Sequence, residues 1–288
     1  MKQGSTIVIS VILSALTAFA ITKLSTSDTQ LQHQETPYER VIRTGTLRCG
    51  YEYWDGAVSR NEKTNQVYGP WVDMMNAIGD ATNLKIEWTS QVGWPDVAAA
   101  LKSNKIDAMC AGMWTSASKT KEIAFTTPLT YQSIETFARA DDHRFDGDLN
   151  KINNPNIKIV IIDNDNSDFI ARQDFPNAQR IALSSLNGTD SEEMMHVLTG
   201  KADICFANAG LWQQFNKANP GKIQRLAPNK SLRIFGNANA INNDDPRLLM
   251  LLNAGQQEIM NSGQLDKILD KANIDFPDMF IKPLKPFP

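Results

Sequence analysis

The chain has 288 residues, of which 42% are hydrophobic and 21% are charged. These fractions are typical of a folded protein and exclude a disordered chain. The 29 Lys and Arg residues nearly balance the 32 Asp and Glu residues, which excludes a strongly basic nucleic-acid-binding protein. At roughly 150 residues per domain, the length predicts two globular units.

The N-terminus has the pattern of a secretory signal. Lys2 supplies a positive charge, residues 7–20 are mostly apolar, and the small-x-small motif Ala-Phe-Ala ends this stretch. As a helix the stretch would span about 21 Å, which is shorter than the ~30 Å hydrocarbon core of a membrane. We therefore expect a cleaved signal peptide over residues 1–20 and a periplasmic protein, with an uncleaved membrane anchor as the alternative. Residues 21–37 are polar and predict a flexible tether.

The first part of the remaining chain alternates predicted strands and helices. Apolar residues recur at helical spacing in residues 72–81, whereas residues 106–113 form an apolar run broken only by Asp107. The predicted order is strand 46–51, helix 72–81, strand 85–89, helix 96–102 and strand 106–113. Such an order predicts a parallel sheet with helices on its faces.

The second part repeats the pattern and then ends in helices. Strands are predicted at residues 157–162, 180–183, 202–207 and 232–240, and helices at residues 167–173, 191–198, 247–260 and 264–271. The C-terminal tail, FPDMFIKPLKPFP, is rich in proline, and we expect it to lie on the surface.

The two parts share a helix-then-strand pattern. It is DVAAALKSNKIDAMCAG in the first part and SEEMMHVLTGKADICFAN in the second. A sheet of this kind offers its ligand site at the C-terminal ends of its strands. Two such units facing each other would therefore form a cleft, where small-molecule sites are concentrated.

The three cysteines give no pattern of metal or redox chemistry. Cys49, Cys110 and Cys205 each lie in an apolar run, which predicts three small, unpaired, buried side chains. The sequence has no Cys-x-x-Cys pair and no histidine near a cysteine, so it gives no support for a metal site. We predict no catalytic residue and no cofactor.

The order of these segments resembles the periplasmic solute-binding proteins of family 3, the polar amino-acid uptake type. The resemblance covers residues 38–273 and is carried by RTGTLRCGYEY, GPWVDMMNAIGDATNLKIEW, WPDVAAALKSNKIDAMCAGMWTSASKTKEIAFTTPL, SEEMMHVLTGKADICFAN and LLNAGQQEIMNSGQLDKILDKA. It implies an α/β fold of the bilobal type II class, with two α/β lobes joined by two hinge strands. Lobe 1 would comprise residues 38–130 and 236–288, and lobe 2 residues 131–235.

The resemblance also implies a function. A monomer would capture a small polar solute, an amino acid or an amino-acid-like compound, in the cleft and deliver it to an ABC permease in the inner membrane. Binding would shift the population from open to closed lobes without covalent chemistry. One alternative is an enzyme like cyclohexadienyl or arogenate dehydratase, with Glu52 or Asp165 as the general acid. Another is a stand-alone ligand-sensing protein.

Nine ligand-binding candidates follow from the resemblance: Glu52, Trp54, Trp71, Trp114, Thr115, Lys119, Asn166, Ser167 and Asn208. Lys119 replaces an arginine that usually grips a carboxylate with two parallel hydrogen bonds, and lysine keeps the charge but lacks the planar fork. Asn208 replaces an aspartate that usually holds an ammonium, and an amide cannot supply that charge. The amide at position 208 disfavours a standard α-amino acid as the ligand, whereas Lys119 still fits an anionic group that is held less specifically.

The other candidates would shape the cleft. Asn166 and Ser167 would donate hydrogen bonds from the turn that opens a helix of lobe 2, and Asp165 would cap that helix. Thr115 would donate from its hydroxyl group, and Glu52 would meet a cation. The three tryptophans predict an aromatic cleft for a cation or a planar ligand, with ordinary packing as the alternative for each. For Lys119 the alternative is a solvated surface side chain.

Overall fold

The structure is a computed structural model that describes residues 35–54, 56–163, 165–184, 189–228 and 230–284. The predicted signal peptide and nearly all of the predicted tether lie outside these residues. Within them, no helix is long and apolar enough to cross a membrane.

Strands make up the centre of the fold. They are β1 (Thr46–Tyr51), β2 (Ser59–Arg60), β3 (Val67–Tyr68), β4 (Lys85–Gln91), β5 (Ala108–Trp114), β6 (Ile123–Phe125), β7 (Thr130–Arg139), β8 (Lys158–Ile162), β9 (Gln179–Leu183), β10 (Ile204–Asn208), β11 (Ile223–Arg225) and β12 (Arg233–Asn242). Ten of them form one sheet in the order β4-β1-β5-β12-β7-β10-β8-β9, with β6 on β12 and β11 on β7. The short strands β2 and β3 pair with each other.

Two parallel blocks of this sheet flank a central antiparallel pair. β1 is parallel to β4 and β5, and β8 is parallel to β9 and β10. The long strands β7 and β12 pair with each other between the blocks, and each also pairs with one block. This topology confirms the predicted α/β fold with two lobes joined by two strands. The lobe boundaries stay a prediction.

Helices connect the strands. They are α1 (Pro37–Thr44), α2 (Pro70–Thr82), α3 (Val97–Lys102), α4 (Asn166–Asp174), α5 (Asp190–Leu198), α6 (Ala209–Ala218), α7 (Pro246–Asn261) and α8 (Gln264–Asp275). Several begin where a polar side chain accepts a hydrogen bond from a free backbone N–H of the first turn. The capping residues are Asp165 for α4, Thr189 for α5, Asn208 for α6 and Asp245 for α7.

Strand β8 of the second parallel block is buried on both faces. Successive residues of β8 enter different apolar clusters: Ile159 and Ile161 pack with Phe175, whereas Val160 and Ile162 belong to the larger cluster. Side chains of a strand alternate between the two faces of the sheet, and an all-apolar strand therefore needs cover on both sides. The four consecutive apolar residues 159–162 carry this requirement in the sequence.

Cys49 and Cys110 form a disulfide between the adjacent strands β1 and β5, with 5.4 Å between their Cα atoms. The prediction of three unpaired cysteines is therefore wrong for this pair. Only Cys205, on β10, is a free and buried thiol among the described cysteines. The pair is 61 residues apart in sequence, and it meets because the two strands are neighbours in the sheet.

The described part of the C-terminal tail lies on the surface only in part: Pro277, Asp278, Ile281 and Leu284 are exposed, as predicted, but two of its residues are not. Met279 and Phe280 are buried, and Tyr131 at the start of β7 exchanges two backbone hydrogen bonds with Ile281, at 2.8 and 2.7 Å. The segment after α8 therefore packs against a central strand, where its two large apolar side chains leave water.

Candidate functional site

The end of β5 lies beside both central strands. The indole N–H of Trp114 donates to Oε1 of Gln132 on β7, at 2.6 Å, and its ring stacks on Phe235 of β12, with 5.3 Å between centroids. The backbone N–H of Thr115 donates to the carbonyl of Gly236, at 2.9 Å. Two predicted ligand residues thus sit where the parallel blocks are joined.

Lys119 and Asp165 bring opposite charges together from the two parts of the chain. Lys119 begins a short 3₁₀ turn, Lys119–Lys121, after β5, and Asp165 caps α4 by accepting a hydrogen bond from the N–H of Asn166, at 2.7 Å. Burial lowers the pKa of Lys119, and the charge of Asp165 opposes that shift. Burial raises the pKa of Asp165, and Lys119 in turn lowers it. Lys119 and Asp165 form no direct ion pair among the described contacts. Each charged group can therefore still bind an oppositely charged group of a solute.

A buried carboxyl lies behind the start of α4. Glu193 on α5 is fully buried, and within the described residues neither of its oxygens has a hydrogen-bond partner of good geometry. Burial raises its pKa well above the usual value, and the nearby charges of Asp190 and Asp165 raise it further, while Ser167 lowers it. Ser167 itself accepts a hydrogen bond from the N–H of Ile162, at 2.9 Å.

Glu193 is a residue that sequence reasoning missed. Glu192 and Glu193 both lie in the first turn of α5, and the helix dipole, which favours negative charge at that end, is a sufficient local reason for two acids there. Glu193 lies four residues before the buried Val197 and is adjacent to the buried Met194. The helical spacing of residues 193, 194 and 197 therefore placed this carboxyl on the inner face, and that spacing could have revealed it.

Asn208 is already engaged within the protein. Its Oδ1 caps α6 by accepting from the N–H groups of Gly210 and Leu211, at 2.8 and 3.4 Å. Its Nδ2 donates to the backbone carbonyls of Met279 and Ser133, at 3.3 and 3.4 Å. The amide thus fixes the start of α6 and the C-terminal segment, and its contact with a ligand stays a prediction.

Trp71 lies in the core at the start of α2. It is fully buried, and its ring covers Gly112, whose φ is 76°. A Cβ at this glycine would lie 2.2 Å from Cε2 of Trp71, so the close packing of strand and ring requires glycine. Nε1 of Trp71 has no hydrogen-bond partner within the described residues. The core position favours the packing alternative for this tryptophan.

Trp54 and Glu52 follow β1. The ring of Trp54 meets Phe280 edge to face, with 5.9 Å between centroids. Oε1 of Glu52 accepts from the N–H of Tyr53, at 2.8 Å, and from Nε2 of Gln91, at 2.9 Å. Glu52 is thus held at the ends of the neighbouring strands β1 and β4.

The predicted ligand residues therefore fall into separate groups. Trp54 and Asn208 contact the C-terminal segment, and Trp114 reaches it through Gln132. Lys119 instead interacts with the charge of Asp165, which precedes Asn166 and Ser167 at the start of α4. Trp71 is in the core. The described residues contain no group of three or more His, Cys, Asp or Glu side chains placed to hold a metal ion. The roles of all nine residues in ligand binding stay predictions.

Residues 47–273 match the profile of the bacterial extracellular solute-binding proteins, family 3, and the chain belongs to this family. Its class is therefore that of a solute-binding protein. No curated protein matches the chain.

Solved structures with a similar fold include several binding proteins. An ancestral amino acid-binding protein, described as a precursor of cyclohexadienyl dehydratase, is 20% identical, with a TM-score of 0.69 over 82% of this chain and 98% of that chain. An arginine-bound amino acid ABC transporter substrate-binding protein from Streptococcus pneumoniae is 18% identical, with a TM-score of 0.67 over 81% and 97% of the two chains. A histidine kinase sensor domain is 18% identical, with a TM-score of 0.68 over 83% and 98%. These likenesses establish the fold.

Proposed function

We propose that this protein captures a small polar solute, an amino acid or an amino-acid-like compound, in a cleft between two lobes and delivers it to an ABC permease. Lobe 1 comprises residues 38–130 and 236–288, and lobe 2 comprises residues 131–235. Family membership supports this proposal, and similar folds bind amino acids in their solved structures.

The interaction between the opposite charges of Lys119 and Asp165 is the observation that carries the proposal. One charge follows β5 in lobe 1, and the other caps α4 in lobe 2. A zwitterion between them would place its carboxylate on Lys119 and its ammonium on Asp165. Because both contacts exist only when the lobes are closed, the solute would favour the closed population.

A periplasmic monomer is the form that we propose. The disulfide between Cys49 and Cys110 supports an oxidising compartment, because disulfides persist outside the reducing cytosol. A closed cleft within one chain also needs no partner copy to complete it.

A thermal-shift screen tests the capture of a solute. Amino acids, amines, opines and small carboxylates would each be added to the purified protein, because a bound solute raises the unfolding midpoint once its concentration exceeds the Kd. For a carboxylate-bearing hit, Lys119→Ala should weaken binding more than tenfold in calorimetry. Lys121→Ala, an exposed lysine of the same 3₁₀ turn, is the matched control and should leave the Kd unchanged. Equal Kd values for both variants would reject the role of Lys119.

An uptake assay tests delivery. A strain that lacks this protein should lose high-affinity uptake of the radiolabelled hit, and the plasmid-borne gene should restore it. Full uptake in the deletion strain would instead favour a stand-alone sensing protein, a role that similarity to a sensor domain makes worth testing.

An enzyme is the second candidate, because burial raises the pKa of both Asp165 and Glu193. A carboxyl that stays protonated near neutral pH could act as a general acid. Loss of water from cyclic acids of the arogenate type, measured by absorbance, would support this candidate. Binding without turnover would support capture alone.

A further inference from the structure

The C-terminal segment (residues 276–281) runs between the two proposed lobes. It leaves α8 in lobe 1 and pairs with the central strand β7 through Tyr131 and Ile281. On the way, Gln213 of α6 in lobe 2 donates to the carboxylate of Asp278, at 2.8 Å. The segment therefore contacts lobe 1, lobe 2 and a strand that joins them.

Met279 fills a space that two glycines leave open. A Cβ at Gly56, in the loop after β1, would lie 2.7 Å from Cε of Met279, and a Cβ at Gly210, in the first turn of α6, would lie 2.9 Å from its Cα. Met279 is 0% exposed. At Gly210 the near atom belongs to the backbone, so a Cβ there would force the segment to move, whereas at Gly56 a Cβ would displace the end of the Met279 side chain and would also need a φ of 79°. Gly56 belongs to lobe 1 and Gly210 to lobe 2, so Met279 lies between the lobes.

Two predicted ligand residues contact this segment, and a third reaches it through Gln132. Asn208 donates to the carbonyl of Met279, at 3.3 Å. Trp114 donates to Gln132, whose own Nε2 reaches Sδ of Met279, at 3.3 Å. Trp54 packs its ring on Phe280. Side chains expected to surround a solute thus surround the segment on one side of the cleft.

The family match ends at residue 273, before this segment begins. We propose that residues 276–281 form one wall of the solute site and that Met279 determines the largest solute that fits. This inference rests on the proposed function. The hydrogen bond from Asn208 holds the backbone of Met279, and its side chain lies beside Gly56. This side chain therefore occupies volume that the far end of a longer solute would need.

Truncation of Met279 should therefore change size preference rather than remove binding. Lys119 and Asp165 would hold the head of the solute, and neither is among the described contacts of Met279. Met279→Ala frees the volume of a linear side chain next to Gly56 and Gln132. A solute with a longer apolar end should fill that volume and bind more tightly to the variant than to the natural protein.

Calorimetry with two homologous series tests the inference. The probes are straight-chain α-amino acids from alanine to norleucine, and straight-chain carboxylic acids from acetate to hexanoate. The natural protein should prefer short members, and Met279→Ala should raise the affinity for the longest member relative to the shortest at least tenfold. Met279→Val should raise this affinity ratio by an intermediate factor, and it replaces the alanine variant in the test if that variant does not fold. Met250→Ala, which truncates a 71% exposed methionine on α7, is the control and should give no shift.

The outcomes separate this inference from the proposed function. Binding by the natural protein, with the same size preference in the variants of Met279 and Met250, would overturn the inference and leave the capture of a solute intact. A natural protein that binds no member of either series, and no compound of the thermal-shift screen, would overturn both.

Discussion

Asp107 and Asp203 make the same reciprocal contact in the two parallel blocks of the sheet. Asp107 accepts a hydrogen bond from the N–H of Arg48, at 2.7 Å, and returns one from its own N–H to the Arg48 carbonyl, at 2.9 Å. Asp203 accepts from the N–H of Lys158, at 2.9 Å, and returns one to the Lys158 carbonyl, at 2.8 Å. The shared helix-then-strand pattern of the sequence thus fixes the first strand of each block through an aspartate.

The two aspartates should differ in their contribution to stability. The side chain of Asp107 is fully buried and ion-paired with Arg40 and Arg48, whereas that of Asp203 is 16% exposed. Breaking a buried pair leaves an uncompensated charge and costs about 3 kcal/mol or more. We expect Asp107→Asn to lower the free energy of unfolding by about that amount and Asp203→Asn by about half of it. Urea unfolding at pH 7 measures both, and equal losses would contradict this expectation.

The disulfide should stabilise the protein through the unfolded state. Closing a loop of 61 residues lowers the entropy of the unfolded chain by an amount worth about 4 kcal/mol in the chain-entropy model. Replacing Cys49 and Cys110 together by alanine should therefore lower the urea midpoint strongly. A reductant should lower the midpoint of the natural protein and leave that of the double variant unchanged. Cys205→Ala, which removes the free thiol, should keep the response to reductant.

Glu193 should make stability fall as pH rises. Its pKa is raised well above 4.5 in the folded protein, so above that pH the folded state holds a proton that the unfolded chain has released. Each pH unit in that window then costs about 1.4 kcal/mol. Glu193→Gln removes this dependence, so the stability of the variant relative to the natural protein should grow from pH 5 upward.

The matched control for this experiment is Glu192→Gln, which removes the half-buried neighbouring carboxylate of the same helix. Its stability relative to the natural protein should stay nearly constant with pH. A constant difference for Glu193→Gln as well, measured by urea unfolding between pH 5 and 8, would show that the buried carboxyl does not titrate in this way.

Gly112 should tolerate no side chain. Alanine there would meet the ring of Trp71 and would also have to adopt a φ of 76°. We expect Gly112→Ala to cost about 3 kcal/mol or more, because a fully buried indole cannot move without repacking the core. Gly200 has a φ of 74° but none of the described atoms within 4 Å of a Cβ. Gly200→Ala should cost about 1 kcal/mol from the backbone alone. Similar midpoints for both variants in thermal unfolding would exclude a steric role for Trp71.

The charge of Lys119 predicts a pH dependence of solute binding. Burial lowers its pKa below the usual 10.5, so the ammonium loses its proton at a lower pH than an exposed lysine does. Affinity for a carboxylate should therefore fall as pH rises from 7 toward 10. Lys119→Arg should keep its affinity over this range, since a guanidinium stays charged. Calorimetry at several pH values measures this, and parallel profiles for both proteins would exclude Lys119 as the titrating group.

Features that depend on short stretches of chain were predictable from the sequence. The apolar run at residues 106–113 indicated a buried strand, and β5 is found there. Asp165 was expected to cap a helix, and it caps α4. Family resemblance then predicted the bilobal fold, which periodicity alone could not supply.

Features that depend on distant neighbours were not predictable. Cys49 pairs with Cys110 because β1 and β5 are adjacent, and no local pattern encodes that adjacency. Met279 is buried because glycines at positions 56 and 210 leave room for it, although its proline-flanked surroundings are typical of an exposed tail.

The single cross-link between β1 and β5 also bears on how the chain reaches its fold. If the chain is exported from its N-terminus, Cys49 and Cys110 both reach the oxidising compartment before Cys205 does. The native pair is then the first pair that can form. Refolding of the whole denatured chain presents all three thiols at once and allows two wrong pairings. Vectorial synthesis should therefore give correctly bonded protein in higher yield than dilution from denaturant.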